Sequence, residues 1–297
     1  MENHYTRPSN YSENSSRELF DTVEFLEQEL NFKITICVIN AFLSFTALFG
    51  NAAILLTFWK TSSLHSAKNI LLASLAVSDL AVGVLQPFEI ANTISRIYAF
   101  HYAVAMLGPF LTIASFLTVT AIAVDRLLSL QLHLRYHAAV TPFRMTWLAI
   151  IIWVSAGIFT STKHWIARLS QVAISVTINS LLIANFLVYL KIYLVVRRHQ
   201  RQIQHMQQPQ EANNENILSL KRFKKSAMNT FLIFILLLFC HMPSSFIVYL
   251  AFTGVTISRN VFATGFTLIF LNSSLNPLLY CWRDREIRTA VKQLFCR

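Results

Sequence analysis

The sequence predicts an all-α integral membrane protein: a seven-transmembrane helix bundle followed by a short amphipathic helix at the C-terminal end. Three observations predict it. Seven apolar segments follow one another, each as long as the roughly 20 residues a helix needs to cross a bilayer, or longer. Hydrophobic residues make up 55% of the 297 positions and charged ones 13%, with 24 Phe, and a soluble core has no use for seven separate apolar runs. The basic residues also sort by side of the membrane. In lipid a lone segment must satisfy its own backbone hydrogen bonds, so the apolar segments read as helices.

The elements follow in order. Residues 1–33 form a polar, extracellular tail that holds seven of the chain's 14 acids. No apolar stretch with a cleavage site precedes the first span, which is therefore expected to serve as the targeting signal. Asn10-Tyr11-Ser12 and Asn14-Ser15-Ser16 match the glycosylation acceptor pattern, so Asn10 and Asn14 are candidate sites, although such triplets also arise by chance. The membrane domain, 34–282, contains spans at 34–59, 70–94, 102–130, 143–165, 172–196, 228–252 and 257–282. The loops are short except for His199–Leu220, whose Gln, Asn and Glu content reads as a flexible linker. Residues 283–297 form the cytoplasmic tail, in which Ile287, Val291 and Leu294 recur at helical spacing, as in a helix lying on the inner leaflet.

Of the 25 Lys and Arg, 18 fall on one side of this arrangement and seven on the other. Positive charge stays in the cytosol, which puts the N-terminus outside, the C-terminus inside and the protein in the plasma membrane as a multi-pass chain. The net charge of +11 thus suits anionic lipid headgroups and an acidic protein partner, not nucleic acid. None of the four cysteines (Cys37, Cys240, Cys281, Cys296) lies in an expected extracellular loop, so no loop disulfide is available. Cys296, beside Phe295 and basic residues, is a candidate for palmitoylation or a plain free thiol.

Polar residues inside the spans carry the mechanism. Counted from the basic residues at the inner helix ends, Asn51, Asp79, Ser115, Asn272 and Asn276 fall in one layer roughly 10–17 Å above the inner edge. A charge at that depth costs at least about 2.5–3.5 kcal/mol, so Asp79 needs partners or water. Asp79, Ser115, Asn272, Ser273 and Asn276 offer oxygens and amides with one formal negative charge. That set fits a small hydrated cation such as sodium; a protonated Asp79 within a packing network is the alternative. No other cofactor is implied. At the inner end of the third span, Asp125-Arg126 is either an interfacial ion pair or a latch within reach of Tyr189 and Tyr280. Pro243 and Pro277 interrupt the backbone bonding of the sixth and seventh spans and give each a hinge. Together these make a two-state device.

These residues resemble the rhodopsin-like (class A) G protein-coupled receptors along nearly the whole chain. Gly50-Asn51, Leu75-Ala76-Val77-Ser78-Asp79, Asp125-Arg126-Leu127, Trp153 and Asn276-Pro277-Leu278-Leu279-Tyr280 match the family's span motifs in order. The resemblance implies a ligand bound from outside, whether small molecule, lipid or peptide, and a heterotrimeric G protein engaging the inner face through Arg126. It also implies an inhibitory sodium ion at Asp79. No acid stands at the start of the sixth span to lock Arg126, which suggests a leakier off state.

Departures from the family pattern point to a branch. His101 stands where most relatives carry a disulfide cysteine, and Leu181 replaces the usual span-five proline. With the very short outer loop, this is similar to melanocortin receptors, and lipid and cannabinoid receptors share parts of the pattern; Ala123–His137 and Arg197-Arg198-His199 also resemble this branch or adenosine-type neighbours. His241 replaces the toggle tryptophan; it is either a pH sensor or, more commonly, a hydrogen-bonded core residue. Gly108 occupies the position of the amine receptors' aspartate, so a melanocortin-like peptide or a lipid is expected over an amine. Glu89 matches a melanocortin-type acid and would meet a cationic ligand, or pair with His101 or Arg96. Met106, Thr112, Ser244, Phe266 and Phe270, with His101 and His241, are the remaining candidates for a mostly apolar ligand cavity. A transporter would need a longer relay of ionisable groups than Asp79, Glu89 and His241. Paired aspartates, an HExxH motif and a Ser–His couple are all missing from the sequence, so no enzyme is expected.

Overall fold

The computed structural model describes residues 9–95, 97–132, 135–161, 167–205 and 211–295. Every regular element among them is helical. The long helices are α1 (Ser9–Lys60), α2 (Ala67–Ser95), α3 (Tyr98–Leu132), α5 (Pro142–Ser161), α6 (Ala167–His205), α7 (Glu211–Phe252) and α8 (Arg259–Arg283). A short α4 (Tyr136–Ala139) lies between α3 and α5, and α9 (Arg285–Phe295) closes the chain. Among the described residues seven helices are long and apolar enough to cross a membrane. The chain is a multi-pass membrane protein.

Two segments outside the expected spans are helical. The polar tail is helical from Ser9, continuous with the first span. The linker is largely helical as well: α6 runs on to His205 and α7 begins at Glu211, with 206–210 outside the described residues. Polarity there reports exposure, not conformation. Glu211–Lys225 contains neither Gly nor Pro and several good helix formers, so nothing local stops the helix.

Helix ends follow local chemistry. Pro142 opens α5 at the position where its missing N–H is no loss, and Thr141 Oγ1 accepts from the Arg144 N–H at 3.4 Å. Asp284 leaves α8 in an extended conformation, and its Oδ1 accepts from the N–H groups of Glu286 and Ile287 at 2.9 and 3.4 Å. One aspartate thus ends the seventh span and caps the amphipathic α9. Of the residues at the expected spacing Ile287 is buried against the bundle, together with Ala290, while Val291 and Leu294 are half-buried.

Four spans contain an internal proline: Pro87, Pro109, Pro243 and Pro277. A proline leaves the carbonyl four residues back without its helical donor, and in lipid that carbonyl must find another. Helix α1 supplies two of them. Ser44 Oγ donates to the Gly83 carbonyl at 2.9 Å, four residues before Pro87, and Asn51 Nδ2 donates to the Ser273 carbonyl at 3.1 Å, four before Pro277. Close approach makes this possible. A Cβ on Gly50 would stand 2.9 Å from Pro277 Cγ, and one on Gly83 would stand 3.0 Å from the Leu48 nitrogen, so small residues seat α1 against both neighbours.

The core is continuous in the inner half, where Leu75, Phe116, Ile122, Phe234 and Leu237 pack together. A smaller outer cluster joins Leu43, Val82, Leu85, Leu111 and Phe270. Large apolar side chains such as Phe42, Phe49, Ile151, Phe186, Phe239 and Phe246 face outward, as a lipid-facing surface requires.

Candidate functional site

Two polar clusters stand out in the apolar bundle. In mid-bundle, Asn276 Nδ2 on α8 donates to Asp79 Oδ2 on α2 at 2.7 Å, and the Ser273 hydroxyl addresses the same carboxyl. Asn272 lies one turn outward of Asn276 and is buried. Asn51 joins this layer through its bond to the Ser273 backbone. Ser115 on α3 shares a 2.9 Å hydrogen bond with Ser78, next to Asp79 in the chain; from sequence Ser78 was read only as part of the span-two motif. All these residues are almost fully buried. The Oδ1 atoms of Asn51, Asp79, Asn272 and Asn276 have no hydrogen-bond partner among the described residues. Every group left over is therefore an acceptor oxygen on a layer with one acid. That chemistry suits a hard cation and gives a soft metal nothing to bind.

The second cluster closes the inner end of α3. The Tyr136 hydroxyl, on α4, donates to Asp125 Oδ1 at 2.7 Å, while an Arg126 guanidinium nitrogen lies 3.4 Å from Asp125 Oδ2. Asp125 and Arg126 are both buried, so the pair is held within the bundle and not at a wet interface. Burial first, and then the bond to Asp125 and its charge, push the Tyr136 phenol well above its ordinary range, so it remains a donor. Sequence reasoning missed Tyr136. The only available signal was an aromatic hydroxyl in a short, basic loop.

Tyr189 and Tyr280 are buried in the same apolar cluster as Leu127, the neighbour of Arg126. Tyr189 stacks on Phe234 with centroids 5.3 Å apart and meets the Phe231 edge at 5.4 Å. Above them His241, on the turn preceding Pro243, is a packed core residue. Its Nδ1 is bonded to the Leu237 carbonyl at 3.0 Å, and its ring meets Phe116 edge-on with centroids 4.6 Å apart. Asn185 on α6, also not anticipated, donates to Thr120 Oγ1 at 2.7 Å and ties α6 to α3.

The candidate ligand residues divide. Glu89, Met106 and Thr112 are half-buried. Ser244 donates to the Gly265 carbonyl at 2.8 Å, joining α7 to α8. Phe270 packs into the outer core cluster, whereas Phe266, one turn outward, is exposed. His101 lies in the first turn of α3 and Asn10 and Asn14 in the first turns of α1, with side chains outside the described set; Arg96 and Cys296 lie outside the described residues. Cys37, Cys240 and Cys281 are free thiols.

Comparison with known proteins agrees with this geometry. A family model described as 7 transmembrane receptor (rhodopsin family) matches residues 50–172. The chain is 27% identical to the histamine H2 receptor of Cavia porcellus, over 89% of this chain and 80% of that protein. It is 25% identical to the adenosine receptor A2b of Gallus gallus, over 86% of each. It is 26% identical to the adenosine receptor A2a of Homo sapiens, over 84% of this chain and 69% of that protein. These similarities agree with the adenosine-type side of the sequence reading and lend no support to a melanocortin-type or lipid ligand. With seven helices long and apolar enough to cross a membrane among the described residues and the span motifs in their expected order, the chain is similar to the rhodopsin-like, class A family of G protein-coupled receptors.

Proposed function

We propose that the protein is a ligand-activated receptor of the plasma membrane, N-terminus outside, that passes an extracellular signal to a heterotrimeric G protein. The observation that carries this is Arg126, buried at the inner end of α3 beside Asp125, with Tyr136 occupying the same carboxylate. An arginine shielded in this way is a contact held in reserve, and release of α3 from α4 and α7 offers it to a partner. Pro243 and Pro277 supply the hinges for that motion. Asp79, Asn272 and Asn276, with Ser273 and Ser115 beside them, would hold a sodium ion in the resting arrangement and disfavour release.

Histamine and adenosine, named in the relatives' descriptions, are both small nitrogen heterocycles, which favours a small polar ligand here over a long peptide or lipid. Glu89 remains the candidate for any positive charge that ligand carries. The absence of an acid at the start of the sixth span, where Met228-Asn229-Thr230 stand, supports appreciable signalling without ligand.

The test is second-messenger output, cyclic AMP and calcium, in cells expressing the chain, Arg126→Ala or empty vector. Output above vector that is lost in Arg126→Ala establishes coupling before any ligand is known. Equal output from all three, with surface expression confirmed, and no nucleotide exchange on added G proteins, counts against the receptor reading.

A further inference from the structure

Gln86 of α2 is fully buried, and neither its Oε1 nor its Nε2 has a hydrogen-bond partner among the described residues. Other buried amides of the bundle use theirs: Asn51, Asn185 and Asn276 all donate. Burying an amide with both ends unpaired is costly and rare in native proteins. Its position gives a reason. Ser44 on α1 bonds to the Gly83 carbonyl, which fixes the register of these two antiparallel helices. One turn outward of that bond, Asn40 stands on α1 and Gln86 on α2, at one level. Asn40 is also buried, and its Oδ1 too is without a partner among the described residues. One turn further out, Cys37 and Glu89 approach closely enough to interact electrostatically. The Gly83 and Asp79 positions lie below on the same face of α2, so the amides sit between the outer ends of α1 and α2 and the mid-bundle acid.

We propose that Gln86 and Asn40 form a ligand-reading amide pair between α1 and α2 for a small molecule that presents a hydrogen-bond donor and acceptor side by side in one plane. A carboxamide is self-complementary to such an edge, since its N–H donates while its carbonyl accepts. Aminopurine and primary-amide groups both offer one, whereas the two nitrogens of an imidazole point apart. A purely cationic group offers donors alone and would leave Gln86 Nε2 unpaired. Glu89, on the outward side, takes any positive charge carried beyond the edge. This deepens the receptor reading and rests on it for its physiological meaning, although binding itself is measurable without coupling.

The experiment measures thermal unfolding of the purified full-length protein, and nucleotide exchange on added G proteins, with three probes: histamine, adenosine and phenylalanine amide. At least one probe is expected to raise the melting temperature of the wild type, with apparent affinity reduced about tenfold or more in Gln86→Leu and in Asn40→Leu. Without probe, Gln86→Leu is expected to melt no lower than the wild type, because an unpaired amide is replaced by an apolar side chain of similar size. The proposal is overturned by no stabilisation from any of the three at millimolar concentration, or by probe affinities in both variants equal to that of the wild type. A lower probe-free melting temperature in Gln86→Leu also overturns it, since the amide then serves the fold. Stabilisation without nucleotide exchange leaves the amide pair standing and removes the receptor reading instead.

Discussion

Asn51 donates its side-chain N–H to the Ser273 carbonyl at 3.1 Å, the carbonyl that Pro277 deprives of its helical donor. The side-chain amide of the first span therefore repairs the hinge of the seventh. Asn51 Nδ2 also reaches the Ala47 carbonyl at 2.9 Å, so the repair is anchored in its own helix.

Asn51→Ala should then cost about 1–3 kcal/mol, the penalty of a buried carbonyl left unsatisfied. In a Pro277→Ala background the helix provides its own donor, and the same substitution should cost clearly less. Thermal unfolding of the four proteins of this cycle measures the coupling; equal costs in both backgrounds would refute the repair.

Tyr136 and Arg126 address opposite oxygens of Asp125. Removing the phenol hydroxyl by Tyr136→Phe takes a charge-assisted bond from a buried carboxylate, worth about 1.5–3 kcal/mol. Arg126 should be released more readily, and basal nucleotide exchange on a G protein should rise. Asp125→Asn should raise it as well, and the double variant should not exceed the larger single effect. Additive increases would mean that the two residues act separately.

Sodium should stabilise the protein if the buried oxygens around Asp79 bind it. The melting temperature in sodium chloride is expected to exceed that in choline chloride of equal ionic strength, since a ligand of the native state shifts unfolding by mass action. Asp79→Asn should abolish the difference, and Asn272→Ala should reduce it. An identical sodium effect in Asp79→Asn would move the ion elsewhere.

His241 fills its space against Phe116, which is fully buried. His241→Trp therefore overpacks the core and should cost about 1–3 kcal/mol. Adding Phe116→Leu should recover part of that loss, although Phe116→Leu alone destabilises. Thermal unfolding decides the matter: if the double variant is as unstable as the sum of the two singles, the rings do not share this space.

The sequence by itself determined the seven spans, the depth of the polar layer counted from the helix ends and the family's motifs. Each depends on local composition or on counting along a helix, and lipid removes the alternatives to helix. It misjudged 199–220 because polarity reveals solvent exposure while helix formation depends on propensity, and the residues after Glu211 have it. Which partner each polar group meets was decided only in three dimensions. Asn276 was legible as a member of the layer, but its bond to Asp79 spans 197 positions. Tyr136 looked like an ordinary loop residue until α4 folded onto α3. Asn40 and Gln86 drew no notice as single polar residues in apolar spans. Their shared level follows from the Ser44–Gly83 bond, and that bond exists because Pro87 frees a carbonyl and a glycine lets α1 come close enough to reach it.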